Sequence, residues 1–274
     1  MAMRQSPVWT GILAALAMAA TLAGRSAEAS CTDRAAPRVN WAGGCQKIGA
    51  NLRGANLAWA NLTGADLTDA DLSHANLANA NLFGTTLTRA NLSRANLRGA
   101  VLSGASLSGA IMTGADLRSL RLDGFNLRDA KLAGAVLMYA DLSGADLSGA
   151  DLTDTDLYDA LLFKTKLDHA TLKDADLSGA RMDGAQLTNA DVTDTHMSFV
   201  ALKGADISSS DFSGSRIQSA EFQGAIVDKN TRIPAPCRKR GNIIVNCKIP
   251  LLETDDRRDG YRFHSNGTFT QDEH

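Results

Sequence analysis

From Leu52 to Val227 every fifth residue is apolar, and all 36 of these positions hold Leu, Met, Val, Ile or Phe. The residue two places earlier is Ala in 27 of the 36 units, and the residue between them is Asp or Asn in 19. The unit reads Ala-(Asp/Asn)-Leu-x-x, as in Ala145-Asp146-Leu147-Ser148-Gly149. A period of five fits neither regular element. A helix turns about 100° per residue, so residues five apart drift around its axis. A strand alternates with period two. The pattern works if each unit is a very short strand followed by a corner. The Ala and the central residue then point inward together, as i and i+2 of a strand must. The Asp or Asn between them faces solvent, and the next two residues turn the chain through a right angle. Four units make a square coil of 20 residues, so the 36 units make about nine coils. At about 4.8 Å per coil they span roughly 43 Å.

A fixed short repeat is the mark of a solenoid, and one set of positions tests the 20-residue coil internally. The second residue after the centre, taken every 20 residues from Gly64, is Gly64, Gly84, Gly104, Gly124, Gly144, Lys164, Gly184, Gly204 and Gly224. The next such column holds Asp69, Arg89, Gly109, Asp129, Gly149, His169, Asn189, Ser209 and Lys229. Because glycine suits positive φ, type II turns are expected along the first column and other turns along the second. Leu120 and Phe125 replace the small inward residue, so the coil is expected to swell there.

On these residues the segment resembles the pentapeptide-repeat family. The resemblance implies an all-β fold, a right-handed quadrilateral β-helix, and it supplies the handedness. The resulting division is a lead-in at 30–49, the β-helix at 50–229 and a C-terminal cap and tail at 230–274.

The flanks differ in character. Residues 1–29 read as a secretory signal peptide: Arg4, an apolar run from Ile12 to Ala23, and Ala27-Glu28-Ala29, with cleavage expected after Ala29. In the lead-in, Trp41 is expected to cover the open end of the first coil, since solenoid ends need caps. Beyond the repeat, Pro234 and Pro236 break the pattern, 242–248 reads as a strand, and 261–269 reads as a hairpin around Asn266-Gly267. The last residues, Gln271 to His274, are expected to be disordered.

Four cysteines lie two on each side of the repeat, and an even count in an exported chain suggests disulfides. Bridged Cα atoms must lie within about 7 Å, whereas the coil holds its ends roughly 43 Å apart on the spacing above. The expected pairs are therefore Cys31–Cys45 and Cys237–Cys247. No CxxC spacing supports zinc.

Charge changes the picture only along the length. The whole chain carries −2. Residues 50–139 sum to +2 and residues 140–229 to −9. Asp154, Asp174 and Asp194 stack in one column, a carboxylate ladder that suggests either a solvated face or a calcium site. Arg89, Arg94, Arg98, Arg118, Arg121 and Arg128 form no aligned track of the kind nucleic acid needs. Trp59, Tyr139 and Phe199 share a corner column, with Met138 and Tyr158 beside it, while Phe83 and Phe163 share another. His74, His169, His196, His264 and His274 are scattered and belong to no catalytic or metal motif.

The features that remain favour an exported, non-enzymatic scaffold or binding rod. It would need no cofactor or metal and would present its columns to a protein or envelope partner, in the periplasm or outside the cell. Two alternatives follow from other features. Some members of the resembled family imitate duplex DNA and protect DNA gyrase, which suggests a DNA-mimicking inhibitor of a DNA-binding enzyme. The Asp column suggests a calcium-dependent adhesion module.

Overall fold

The computed structural model describes residues 30–233, 237–246, 261–263 and 269–271. Its central body is a ladder of single parallel bridges between residues 20 apart, running from Gln46↔Asp66 to Asp206↔Ile226. Leu72, Leu92 and Met112 are vertical neighbours, their flanking residues bridged as Asp71↔Asn91 and Asn91↔Ile111. All 36 central residues are buried. Four faces of the coil follow from the four units in each repeat. We number them from their first central residues, Leu52, Leu57, Leu62 and Leu67.

The repeat exists because it gives every backbone N–H of a unit a partner, as a buried wall requires. The central N–H donates to the carbonyl 19 residues ahead, as Leu72 N does to Asn91 O at 2.8 Å. The N–H before it donates to the carbonyl 21 residues behind, as Asp71 N does to Ala50 O at 2.9 Å. The second corner residue donates upward as well, Gly54 N to Ser73 O at 2.8 Å. The following alanine closes the turn on the central carbonyl, Ala55 N to Leu52 O at 3.0 Å. That leaves the first corner N–H, and the Asp or Asn supplies its acceptor.

All 19 Asp and Asn residues that stand just before a central residue accept this bond at Oδ1, as Asp66 does from Thr68 N at 3.0 Å and Asp176 from Ser178 N at 2.9 Å. Such side-chain-to-backbone bonds are what make Asx residues good turn formers. The recurring polar residue is therefore a corner cap as well as a solvated position.

The corners correct one expectation. Both tested columns, Lys229 at the end of the second excepted, have positive φ: Gly64 at 66° and Gly144 at 67°, but equally Asp69 at 57°, Arg89 at 55°, Asp129 at 55° and His169 at 59°. With a single positive φ and an i→i+3 bond, the turns of both columns match type II. The stacked ladder imposes one corner shape on all four edges, so non-glycine residues accept a conformation they rarely choose alone. Glycine is set by its neighbour at some corners: a Cβ on Gly179 would collide with the Asp159 carboxylate in the coil below.

At the N-terminal end the ladder starts before Ala50, with Asn40↔Asn61 one residue out of the 20-residue register. Trp41 is buried there, its Nε1 donating to Asp33 O at 3.1 Å and Lys47 Nζ lying 4.2 Å from its ring centre. A disulfide joins Cys31 to Cys45. At the other end Asp211↔Arg232 shows the same one-residue slip. A hairpin of β1 (Arg238–Arg240) and β2 (Ile243–Asn246) follows, and Asn242 O accepts from Val227 N at 2.8 Å. Cys237 is disulfide-bonded, whereas its expected partner Cys247 lies outside the described residues. Strands β3 (Tyr261–Phe263) and β4 (Phe269–Gln271) pair antiparallel. Gln271, expected to be disordered, is the last residue of β4. The signal segment 1–29, the Asn266-Gly267 turn and residues 272–274 lie outside the described residues.

Swelling at Leu120 and Phe125 takes a definite form. Between the coil of residues 99–109 and that of 118–128 the ladder is interrupted on the third and fourth faces. Bridges run Asn81↔Val101 and Arg121↔Asp141, but none joins Val101 to Arg121 or Ser106 to Asn126. The N–H groups of Gly99, Leu102, Gly104, Leu107, Gly109, Arg121 and Asn126 make none of the ladder bonds their equivalents make elsewhere.

Candidate interaction surface

The ladder holds outward side chains in columns, so each feature read from the sequence can be placed. Inward positions hold six hydroxyls in place of alanine, and all six are buried: Thr85, Thr155, Thr165, Thr195, Ser210 and Ser215. Thr85 Oγ1 donates to Leu62 O at 2.9 Å and Thr165 Oγ1 to Leu142 O at 2.8 Å, each 23 residues behind. No buried side-chain nitrogen or oxygen lacks a partner among the described residues. These hydroxyls are structural and face nothing outside.

Arginines of the first half are largely neutralised where they stand. Arg89 pairs with Asp69 directly below it, at 2.6 Å. Arg118 pairs with Asp116 at 2.6 Å, Arg121 with Asp123 at 3.4 Å, and Arg128 with Asp146 at 3.4 Å. Hydrogen bonding from Arg118 holds the Asp116 carboxyl below its ordinary pKa. At Asp146 partial burial opposes, and hydrogen bonds from Ser148 and Arg128 outweigh it, so this carboxyl too is lowered. No aligned basic track forms among these residues.

Asp154, Asp174 and Asp194 stand exposed at corners of the first face, with φ of 56°, 58° and 59°. Among the described residues no three His, Cys, Asp or Glu side chains come together closely enough to hold a metal ion. His74, His169 and His196 are exposed and apart. His264 and His274 lie outside the described residues.

The aromatic columns meet at one place. Tyr139 and Tyr158 touch edge to face, their ring centres 5.8 Å apart. Nineteen residues separate them, which puts the first corner residue of one coil beside the second corner residue of the coil below. On the adjoining third face Arg181 stacks over Phe163, 4.9 Å from its ring centre. Among the described residues Phe199, Trp59, Tyr139 and Phe83 are the most exposed aromatics, at 68%, 60%, 54% and 54%. Exposed aromatics of this size are common anchors for a partner. Sequence spacing places Tyr158 on the column next to that of Tyr139, and the structure brings the two rings into contact. No helix among the described residues is long and apolar enough to cross a membrane.

A family model described as pentapeptide repeats matches residues 50–89, 90–129, 115–154 and 155–194, in eight copies. Among solved structures, the chain is similar to HetL, a pentapeptide repeat protein involved in heterocyst differentiation regulation from the cyanobacterium Nostoc sp. Identity is 34%, covering 71% of this chain and 93% of that one, with a TM-score of 0.44. It is also similar to QnrB1, a plasmid-mediated fluoroquinolone resistance protein, at 19% identity, covering 67% of this chain and 94% of that one, with a TM-score of 0.31. A pentapeptide repeat protein of the Arabidopsis thaliana thylakoid lumen shares 28% identity over 43% of this chain and 71% of that one, with a TM-score of 0.22. The curated proteins contain no match.

Proposed function

The chain belongs to the pentapeptide repeat family, whose members fold as right-handed quadrilateral β-helices, and we propose that it is an exported, non-enzymatic binding rod of nine coils. One observation carries the reading. The ladder, complete on all four faces from Gln46 to Ala95 and from Leu132 to Ile226, holds outward side chains at fixed heights and fixed azimuths within each segment, and rigid arrays of that kind suit protein contact. The partner is a protein or another component of the cell envelope, met in the periplasm or outside the cell. The exposed aromatics of the second face, Trp59, Tyr139, Tyr158 and Phe199, are its anchors.

Export is supported by two features. The leader at 1–29 has the composition of a signal peptide with cleavage after Ala29. The Cys31–Cys45 disulfide closes the N-terminal end, and such bonds persist in oxidising compartments. Fractionation with N-terminal sequencing tests the location. A mature chain beginning at Ser30 in the periplasm or medium is expected, and an intact chain confined to the cytoplasm would contradict it. A photo-crosslinking residue at Tyr139 tests the partner. A discrete adduct in living cells, absent when the crosslinker sits at Thr113 on the first face, is expected, and equal labelling at both positions would end the anchor assignment.

A further inference from the structure

We propose that the parted contact between residues 99–109 and 118–128 is a hinge, about which the two ends of the rod tilt as separate blocks. Three observations carry it. The parting is one-sided. On the first face and at the start of the second the same two coils stay bonded, Leu92 N to Ile111 O at 2.7 Å, Arg94 N to Thr113 O at 2.9 Å and Leu97 N to Asp116 O at 3.0 Å, and the opening begins at the second-face corner, where Gly99 N makes no ladder bond. On the third and fourth faces the bonds are gone, and where the ladder resumes, Lys131 N to Ala110 O is stretched to 3.4 Å. A contact closed along one side and open along the other is a wedge, and its closed side is a rotation axis.

The open side is also the one place where the wall admits solvent. Between Ala60 and Ala225 every inward residue is buried except Ala105 and Phe125, which face each other across the gap and are only half-buried. Finally, no side chain ties the lips. Arg118 and Arg121 pair within their own coil, with Asp116 and Asp123, and Arg128 pairs upward with Asp146. Elsewhere side chains do bridge coils, as Arg89 does to Asp69 and Asn96 to Asn76.

Opening therefore breaks no backbone or side-chain bond on the third and fourth faces. Hinges are few-residue sites that absorb the motion between blocks that stay rigid. The two blocks are fully laddered on all four faces, Gln46 to Ala95 below and Leu132 to Ile226 above. Tilting changes the separation of Phe83 from Phe163, which share the third face on opposite sides of the gap. It moves the first-face side chains least, since the bonded edge runs through Leu92, Arg94 and Leu97. The rod can thus fit partner surfaces of different curvature on one side without disturbing its other side.

Spin labels carried on keto-bearing residues, which spare the native disulfides, test this by distance distributions in the full chain. Three pairs are compared, each two coils apart: Ser103 with Ser143 across the open side, Ser93 with Ala133 along the axis, and Ser143 with Asp183 inside the upper block. The first distribution is expected to be about twice as broad as the other two, as hinge motion about a closed edge requires. It should narrow to match them in Leu120→Ala/Phe125→Ala. Equal widths in the parent chain, or an unchanged width in the folded double variant, would overturn the hinge. The comparison within the parent chain decides the matter even if that variant fails to fold.

Discussion

Two coil contacts on the same face, one holding Leu120 and the other Val200, respond differently to an oversized inward residue. Val200 replaces alanine just as Leu120 does, and its corner stretches, with Val200 N to Met197 O at 3.4 Å. The ladder around it is nevertheless whole: Ala201 N to Ala180 O at 3.0 Å, Met182 N to Ala201 O at 2.7 Å and Leu202 N to Glu221 O at 2.8 Å. Leu120 stretches its corner to a similar 3.3 Å, yet there the coils part. What differs is the next unit. Val200 is followed by Ala205, whereas Leu120 is followed by Phe125.

One enlarged corner can be absorbed by lengthening a single turn bond. Two in succession put more volume into one layer than a close-packed interior accepts. The hydroxyl-bearing corners fit the same scale, with Thr165 N to Leu162 O at 3.3 Å and Ser215 N to Phe212 O at 3.2 Å, and their ladders stay closed. The size of consecutive inward residues, more than their polarity, decides whether a coil stays bonded to its neighbour.

The comparison breaks most severely if the enlarged pair is moved. Ala180→Leu with Ala185→Phe rebuilds it three coils higher. Overpacking at two sites costs about 1–3 kcal/mol each, and lost ladder bonds add about 1 kcal/mol each. A urea melt should show the largest loss of any variant considered, with new exchange at the Leu162 and Leu167 amides. The reverse change sharpens the rule. Truncating a large residue that is fully buried ordinarily costs about 2–5 kcal/mol, and of this pair only Leu120 is buried, Phe125 being half-buried. In Leu120→Ala/Phe125→Ala the coils can close and regain their bonds, so the total loss in the same melt should stay below about 2 kcal/mol.

Smaller effects separate size from polarity. Thr165→Val keeps the shape and removes the bond to Leu142 O. It should cost about 1 kcal/mol and leave the ladder closed, as judged by unchanged exchange at Leu147 and Leu167. The smallest effect concerns the end of the rod. Asp228 is held well below the ordinary carboxylate range, foremost by the Ser209 hydroxyl and then by Thr231. A lowered folded pKa stabilises the native state above the unfolded value, near 4, and that contribution fades as the pH falls below it. Acid should therefore loosen the C-terminal coil first, read as earlier exchange at Ser209 and Arg232 than at Leu147 on lowering the pH from 5 to 2.5. Asp228→Asn should flatten this difference.

Much of this was legible in the spacing alone. The 36 inward residues, the 20-residue stacking and the swelling at Leu120 and Phe125 follow from counting, because a strict period leaves each side chain one direction to point. Two features were not legible. The shared corner shape was hidden because glycine preference reports cost, whereas the ladder dictates conformation even at Asp69 and Arg89. The capping by Asp and Asn was hidden because it depends on where the first corner N–H points once the turn has formed. The Asp69–Arg89 pair could have been found by asking which opposite charges lie 20 apart.

Amide exchange resolved to single residues in the unmodified chain tests the central claim most directly. Leu102 and Leu107 sit one coil above Leu82 and Leu87 on the same faces, and only the lower pair keeps its ladder bonds. The account predicts that Leu102 and Leu107 exchange faster than Leu82 and Leu87 by on the order of a hundred-fold, as amides without a stable partner do. Equal protection at the four leucines would show the contact to be closed, and with it would go both the size rule and the hinge.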